Sequence, residues 1–167
     1  MLRGPLPSSK RSMSEPIRKR HNVNCLLYHL VCPAKYRRKV FSEAVEATLK
    51  TVCCDAIEFG FEMRFVEIGA DEDHVHFLIQ TVPTMQPSRM VQIIKSITGR
   101  QIFERHPEVK RMLWGGQFWT SGYYINTVGL HGNEETIRKY VEGQGKDYKL
   151  IHRGQLTLFE GLTSIGH

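Results

Sequence analysis

The feature that most constrains the fold is a hairpin signal in the middle of the chain. Residues 61–68 alternate apolar with polar side chains, which is the period of a half-buried strand. A short turn at 69–73 separates them from a second strand-like segment, His74 to Val82. Two such segments joined by a short turn are predicted to pair as an antiparallel hairpin.

The segments around this hairpin switch between the periods of strands and helices. In chain order they are a strand over 22–31, a helix over 42–60, the hairpin, a helix over 87–105, a strand over 123–128 and a helix over 133–144. This order is that of the split β-α-β arrangement. We therefore predict an α+β, ferredoxin-like (RRM-like) antiparallel sheet with helices on one face and one extra C-terminal helix.

Length and charge suggest a single domain with a basic tail. The 167 residues fit one domain, and 41% hydrophobic with 24% charged residues exclude a disordered, collagen-like or membrane-spanning protein. The net charge is +6, but residues 1–20 alone hold six cations against one anion. We predict a flexible basic tail at 1–20, one domain at 21–152 and a C-terminal tail at 153–167. Because the domain itself is near neutral, net charge does not identify its binding partner.

The cysteines and the N-terminus predict a cytoplasmic protein. The basic N-terminal residues are not followed by the apolar run of a secretory signal. The four cysteines contain no C-x-x-C pair, and Cys53 and Cys54 are adjacent, which is poor geometry for a disulfide or zinc. Reduced thiols, some of them buried, are the expectation.

The His74-Val75-His76 triplet is the most informative chemical motif. Residues i and i+2 of a strand share a face, so both imidazoles should project side by side, with Val75 pointing into the core. Two neutral imidazoles on a rigid strand supply two ligands for a divalent metal. The same triplet also fits two ordinary histidines at the surface or the edge of the core.

A second motif lies on the predicted last helix. Tyr140 and Gln144 are i and i+4 neighbours there. A tyrosine hydroxyl can act as a nucleophile, and an amide oxygen can bind a hard cation such as Mg²⁺ or Mn²⁺. Alone the pattern is weak, since Tyr140 could equally be a packing aromatic.

Together these motifs resemble a known family. Residues 73–79 look like the HUH motif (histidine, hydrophobic, histidine) of single-strand nicking enzymes, and 140–144 look like the Y-x-x-x-Q of the insertion-sequence single-tyrosine transposases and of the related REP-associated tyrosine transposases. Further segments resemble the same family in the same order, namely 28–31, 35–40, 113–116, 118–119, 123–129 and 137–144. The resemblance covers about residues 22–150.

The resemblance implies a transposase that nicks and rejoins single-stranded DNA at hairpin-marked ends. By similarity, His74, His76 and Gln144 would hold one Mg²⁺ or Mn²⁺ ion, and Tyr140 would form a 5′-phosphotyrosine intermediate. Family members are homodimers in which the tyrosine helix can dock on the partner subunit. The resemblance implies association with the nucleoid when the enzyme acts.

Candidate DNA contacts lie on the loop after the first strand and on the second long helix. They are basic side chains and one aromatic that could grip the phosphate backbone or stack on a base. These residues are Lys35, Tyr36, Arg37, Arg38, Lys39, Arg89, Lys95 and Arg100. Trp114 and Trp119 could stack on bases or pack within their loop.

Alternative functions remain open from the sequence. One is a domesticated relative that processes palindromic repeats in the genome. Another is a nucleic-acid-binding module without catalysis, because the same fold serves RNA recognition. A replication initiator or relaxase is disfavoured by the short chain and its single Y-x-x-x-Q.

Overall fold

A five-stranded antiparallel sheet forms the centre of the molecule. The computed structural model describes residues 18–19, 22–23, 26–128, 143 and 148–154. The strands are β1 (Leu26–Pro33), β2 (Met63–Ala70), β3 (His74–Thr81), β4 (Tyr124–Val128) and β5 (Lys149–Arg153). Their order across the sheet is β4-β1-β3-β2-β5. The first four have the order of the ferredoxin-like sheet, and β5 extends it at the β2 edge.

The helices begin at residues suited to that position. The Ser42 side chain accepts a hydrogen bond from the Val45 backbone N–H and so caps α1 (Glu43–Thr51). This helix continues through a π-helical segment, Val52–Ile57, and a last turn, Glu58–Gly60. Helix α2 (Pro87–Arg105) has proline at its first position, where the missing N–H costs nothing. A short α3 (Pro107–Met112) follows.

The helices and one sheet face enclose the hydrophobic core. Phe65, Phe77, Leu30, Ile94 and Leu49 are among its fully buried members. Because side chains alternate along a strand, the residues between these strand positions lie on the opposite sheet face. That face carries the histidines of the H-x-H triplet.

The structure confirms the α+β class and the predicted hairpin between β2 and β3. It differs from the predictions in three described features that the sequence pattern did not indicate: α3, β5, and an antiparallel pairing of Arg18–Lys19, within the segment predicted as a flexible tail, with Asn22–Val23. Strand β5 reaches Arg153, one residue into the predicted C-terminal tail. The predicted helix over 133–144 falls outside the described residues except for Gly143, which is helical and exposed.

Strand β2 is also more buried than its alternation predicted. From Phe65 to Ala70 every residue is buried, including Glu67. The physical reason is that β2 is an inner strand between β3 and β5, and its second face is covered by Tyr148, whose ring lies against Gly69. Within the described part of the chain, no helix is long and apolar enough to span a membrane.

Candidate active site

The two histidines of the triplet lie side by side on β3. Val75 is fully buried in the core, whereas His74 and His76 are partly exposed on the opposite face. The ring centroids of His74 and His76 are 4.9 Å apart. The predicted placement of both imidazoles on one sheet face is therefore what the structure shows.

A carboxylate orients the His74 ring. Its Nδ1 lies 2.7 Å from Asp73 Oδ1, and because a carboxylate only accepts, the Nδ1–H is the donor. The second oxygen of Asp73 accepts from Arg37 Nε at 2.9 Å. The hydrogen bond from His74, assisted by Arg37, lowers the pKa of Asp73. With Nδ1 engaged, Nε2 is the ring nitrogen left for a ligand; it lies 3.9 Å from Asp71 Oδ2.

A third imidazole orients the His76 ring. His29 on β1 places its Nε2 3.0 Å from His76 Nδ1, and the ring planes are only 18° apart. Burial, assisted by His29 and His74, lowers the pKa of His76 to about 4, and burial also lowers the pKa of His29. Both rings are therefore uncharged near neutral pH. When His76 donates from Nδ1, its Nε2 carries the lone pair that a metal ligand needs.

An aromatic ring covers one face of His76. The Tyr148 ring stacks on it with centroids 4.3 Å apart and planes 13° apart. Gly69, opposite His76 in the β2–β3 pairing, leaves room for this ring, because a Cβ at that position would overlap it. The Tyr148 hydroxyl donates to Glu67 Oε1 at 2.9 Å, and Arg153 donates to the other oxygen at 3.2 Å.

The donor set fits a divalent cation in this part of the site. Both imidazoles have Nδ1 held by a hydrogen-bond partner and Nε2 left over, which is the arrangement typical of metal-binding histidines. The third predicted ligand, Gln144, and the predicted nucleophile, Tyr140, lie outside the described residues. Their roles remain predictions from the motif.

Part of the predicted DNA-binding loop is engaged by the acidic turn before β3. Arg37 binds Asp73, and Lys39 forms a 2.7 Å ion pair with Glu72. Arg37 therefore has a second role besides the predicted DNA contact. It orients the Asp73 carboxylate, and that carboxylate in turn orients the His74 ring. Arg38 is exposed.

The same loop exposes an aromatic pair. Tyr36 and Trp114 stack with centroids 5.4 Å apart and are 45% and 69% exposed. The Lys35 ammonium lies 5.4 Å from the centre of the Tyr36 ring. Trp119, by contrast, is buried and donates its indole N–H to Thr98. Packing is therefore the role of Trp119, and Trp114 keeps a free ring face.

The predicted basic residues of α2 lie along a groove. Lys95 and Arg100 line a cavity of about 800 Å³ between α2 and residues 116–123. Lys95 donates to Thr120 O at 2.6 Å and lies over the Tyr123 ring. Arg89 bonds Gln92 on the exposed helix surface. DNA contact by these residues stays a prediction.

Sequence reasoning missed three residues of the site. His29, Tyr148 and Glu67 all contact the motif or its neighbours. For His29 a signal existed, since it falls within one of the family-like segments and on a strand. For Tyr148 and Glu67 no local pattern exists, because their contacts depend on strand register.

Comparisons with known proteins identify the family to which the chain is similar. Residues 22–144 match the family model described as "Transposase IS200 like". The chain is 35% identical over 120 residues to the ISDra2 transposase TnpA of Deinococcus radiodurans, which covers 71% of this chain and 84% of that protein. It is 30% identical over 131 residues to the transposase for insertion sequence element IS200 of Salmonella typhimurium, covering 76% and 81%.

A solved structure shows the same fold. The crystal structure of a protein identified as a transposase from Deinococcus radiodurans aligns with a TM-score of 0.59 and 31% identity, covering 76% of this chain and 96% of that one. The matched segment contains both motifs and the strands β1 to β4. The chain therefore belongs to the family of IS200-like transposases.

Proposed function

We propose that this transposase nicks and rejoins single-stranded DNA at hairpin-marked ends through a 5′-phosphotyrosine on Tyr140, at a site where His74, His76 and Gln144 hold one Mg²⁺ or Mn²⁺ ion. The observation that carries the proposal is the pair of imidazoles on one sheet face, each with Nδ1 held by a partner. Membership of a transposase family supports strand cleavage and transfer as the reaction class.

The residues divide the chemistry between them. Tyr140 attacks phosphorus in line: its hydroxyl gives up its proton to solvent as the oxygen forms the new P–O bond, the bond to the 3′ oxygen breaks, and that oxygen takes up a proton from solvent and leaves as a 3′ hydroxyl. His74, His76 and Gln144 would hold a divalent ion, which when bound would polarise the scissile phosphate and stabilise the charge on the leaving oxygen. Asp73 and His29 keep the imidazoles in the tautomer that binds metal. The phosphotyrosine conserves the phosphodiester bond energy, so another 3′ hydroxyl can reverse the step.

The exposed aromatic pair supports the choice of single-stranded or hairpin DNA. Tyr36 and Trp114 offer ring surface beside the Lys35 ammonium, and the same loop exposes Arg38. Stacking of bases on aromatic rings beside a basic groove is how proteins hold unpaired strands. We assign the tip of the hairpin or an unpaired base to this platform.

A homodimer is part of the proposal. The family resemblance implies two active sites per assembly, with the helix bearing Tyr140 contributed to the sheet of either subunit. Two arrangements are possible: Tyr140 acts at the sheet of its own subunit or at that of the partner. Covalent linkage of Tyr140 from one tagged protomer to DNA held by a catalytically inactive partner would distinguish them.

The test uses the DNA beside the gene as substrate. Hairpin-containing oligonucleotides from both flanks, labelled at the 3′ end, are incubated with the full chain and Mn²⁺. We expect a covalent adduct that carries the label, disappears in Tyr140→Phe and requires the metal. Hairpin binding with no adduct on any flanking sequence would instead indicate a binding module. Dispersed genomic palindromes as the only substrates would indicate a domesticated relative.

A further inference from the structure

A second cluster of metal-binding side chains lies away from the candidate active site. Cys54 and Glu58 are i and i+4 neighbours at the end of the helix that begins with α1, and His152 lies on β5. One donor atom from each lies within 4.8 Å of the other two. His152 pairs with the core residue Ile68. The cluster is therefore on the helix-covered face, opposite His74 and His76.

The backbone of Phe65 orients two of the three side chains. Its N–H donates to Glu58 Oε1 at 2.6 Å, and its carbonyl oxygen accepts from His152 Nε2 at 3.2 Å. Both bonds lie on the edge of β2 that faces β5. The pairing of β2 with β5 covers only Glu67 to Ala70, so Phe65 has no partner residue in β5. A histidine that donates one ring N–H to a backbone carbonyl presents its other nitrogen as a ligand. Glu58 likewise keeps one oxygen outside this bond.

The charges around the cluster have both signs, since Lys50 acts on Cys54 and His152 and Arg64 acts on Glu58, opposite to the nearby anions. All three side chains are partly buried, and Asp55 adds negative charge near the Cys54 thiol. Burial, then Glu58 and Asp55, raise the pKa of Cys54 to about 12, and burial raises that of Glu58. The Cys54 thiol is therefore protonated without metal, and a bound divalent ion would balance the charge of the thiolate that forms on binding and of the Glu58 carboxylate.

We propose that Cys54, Glu58 and His152 form a zinc site with water at the fourth position. A thiolate, an imidazole and a carboxylate are the donors that zinc takes in proteins. Zinc bonds of about 2.0–2.3 Å place tetrahedral donors roughly 3.3–3.8 Å apart, so the side chains must close by about 1 Å. On binding, the zinc–sulfur bond forms as the Cys54 thiol releases its proton to solvent.

The geometry gives the ion a structural role. It would join the helix to β5, an edge strand that ends one residue after His152. A metal that binds the folded chain and not the unfolded chain stabilises the folded state by mass action. This inference is independent of the proposed DNA chemistry, because none of its three ligands belongs to that site.

The test is titration of the full chain with Co²⁺ as a spectroscopic substitute for zinc. The background is His74→Ala/His76→Ala, which removes the other proposed site. We expect one equivalent bound with a sulfur-to-cobalt charge-transfer absorption, displaced by Zn²⁺, and a higher melting temperature with zinc. Cys54→Ser should abolish the absorption.

Two further variants separate ligation from folding. Glu58→Gln and His152→Gln retain an acceptor and a donor for Phe65, so the strand edge stays satisfied, yet each should weaken metal binding at least about tenfold. Asp55→Asn removes a neighbouring charge but no ligand, and should retain the absorption. Three outcomes would each overturn the proposal: no absorption in the background protein, absorption that survives in Cys54→Ser, or full metal affinity in both glutamine variants. Glu58 and His152 would then serve only as hydrogen-bond partners of the β2 edge.

Discussion

The ring of Tyr148 lies flat on the imidazole of His76, with centroids 4.3 Å apart and planes 13° apart. This contact links the sheet to the start of β5, because Tyr148 directly precedes that strand. It exists only because Gly69, opposite His76, has no side chain. The hydroxyl of Tyr148 is then anchored on buried Glu67.

Replacing Gly69 by alanine should therefore displace Tyr148. Overpacking of this kind costs about 1–3 kcal/mol in the free energy of unfolding. In a Tyr148→Ala background the same change should be neutral or stabilising, because glycine in a strand costs roughly 0.5–1 kcal/mol relative to alanine. A double-mutant cycle from urea denaturation measures the difference. Equal costs in both backgrounds would contradict the packing described for this pair.

His29 should matter for metal binding without being a ligand. Removing the partner of a metal-binding histidine typically lowers affinity about 10–100-fold, so His29→Ala should weaken Mn²⁺ binding by that factor in calorimetry. His106→Ala is the matched control, since His106 is also a hydrogen-bonded, partly buried imidazole but contacts Thr48 instead. Equal affinities in the two variants would mean that His29 does not orient His76.

Trp114→Ala should weaken binding of hairpin DNA while leaving the fold intact. Stacking of a base on an aromatic ring contributes about 1–3 kcal/mol, which corresponds to a loss of roughly 5- to 150-fold in affinity. Phe59 is even more exposed, at 75%, but lies in the last turn of the helix that begins with α1 and not in the basic loop. Phe59→Ala is thus the control. Fluorescence anisotropy with a Tyr140→Phe protein separates binding from cleavage.

The metal-free protein should lose stability in mild acid. The pKa of His76 is about 4 in the folded chain against 6.5 for the free side chain, so the unfolded chain binds more protons between these pH values. The free energy of unfolding in EDTA should then fall as pH drops from about 6.5 towards about 4, with no further loss from His76 below that. Burial of His29 and His152 acts in the same direction. His76→Asn should show a shallower dependence, and an unchanged slope would count against this assignment.

Local patterns in the chain predicted much of this fold. The period of two placed His74 and His76 on one face, and Ser42 and Pro87 marked helix starts because capping and the missing proline N–H act within one turn. Strand β5 was not predictable in this way. It is a short edge strand with only partly buried residues, so its stability depends on pairing with distant β2.

The environment of the motif could not be read from the sequence for the same reason. Whether His29 reaches His76 depends on the register of β1 against β3, which pairs Val31 with His76. Whether Tyr148 reaches it depends on a glycine 79 positions earlier. The histidines were visible as a motif, whereas the contacts that His29, Tyr148 and Glu67 make around them are visible only in the folded chain.

The contact between His29 and His76 also makes the site sensitive to sheet alignment. The two imidazoles come from different strands, and a slip of β1 by one residue would turn His29 to the opposite face. If His74 and His76 bind the proposed ion, its affinity would therefore depend on the alignment of β1 with β3 as well as on the donor atoms. A substitution far from the motif that shifts β1 would be detected first as weaker metal binding, before any loss of secondary structure.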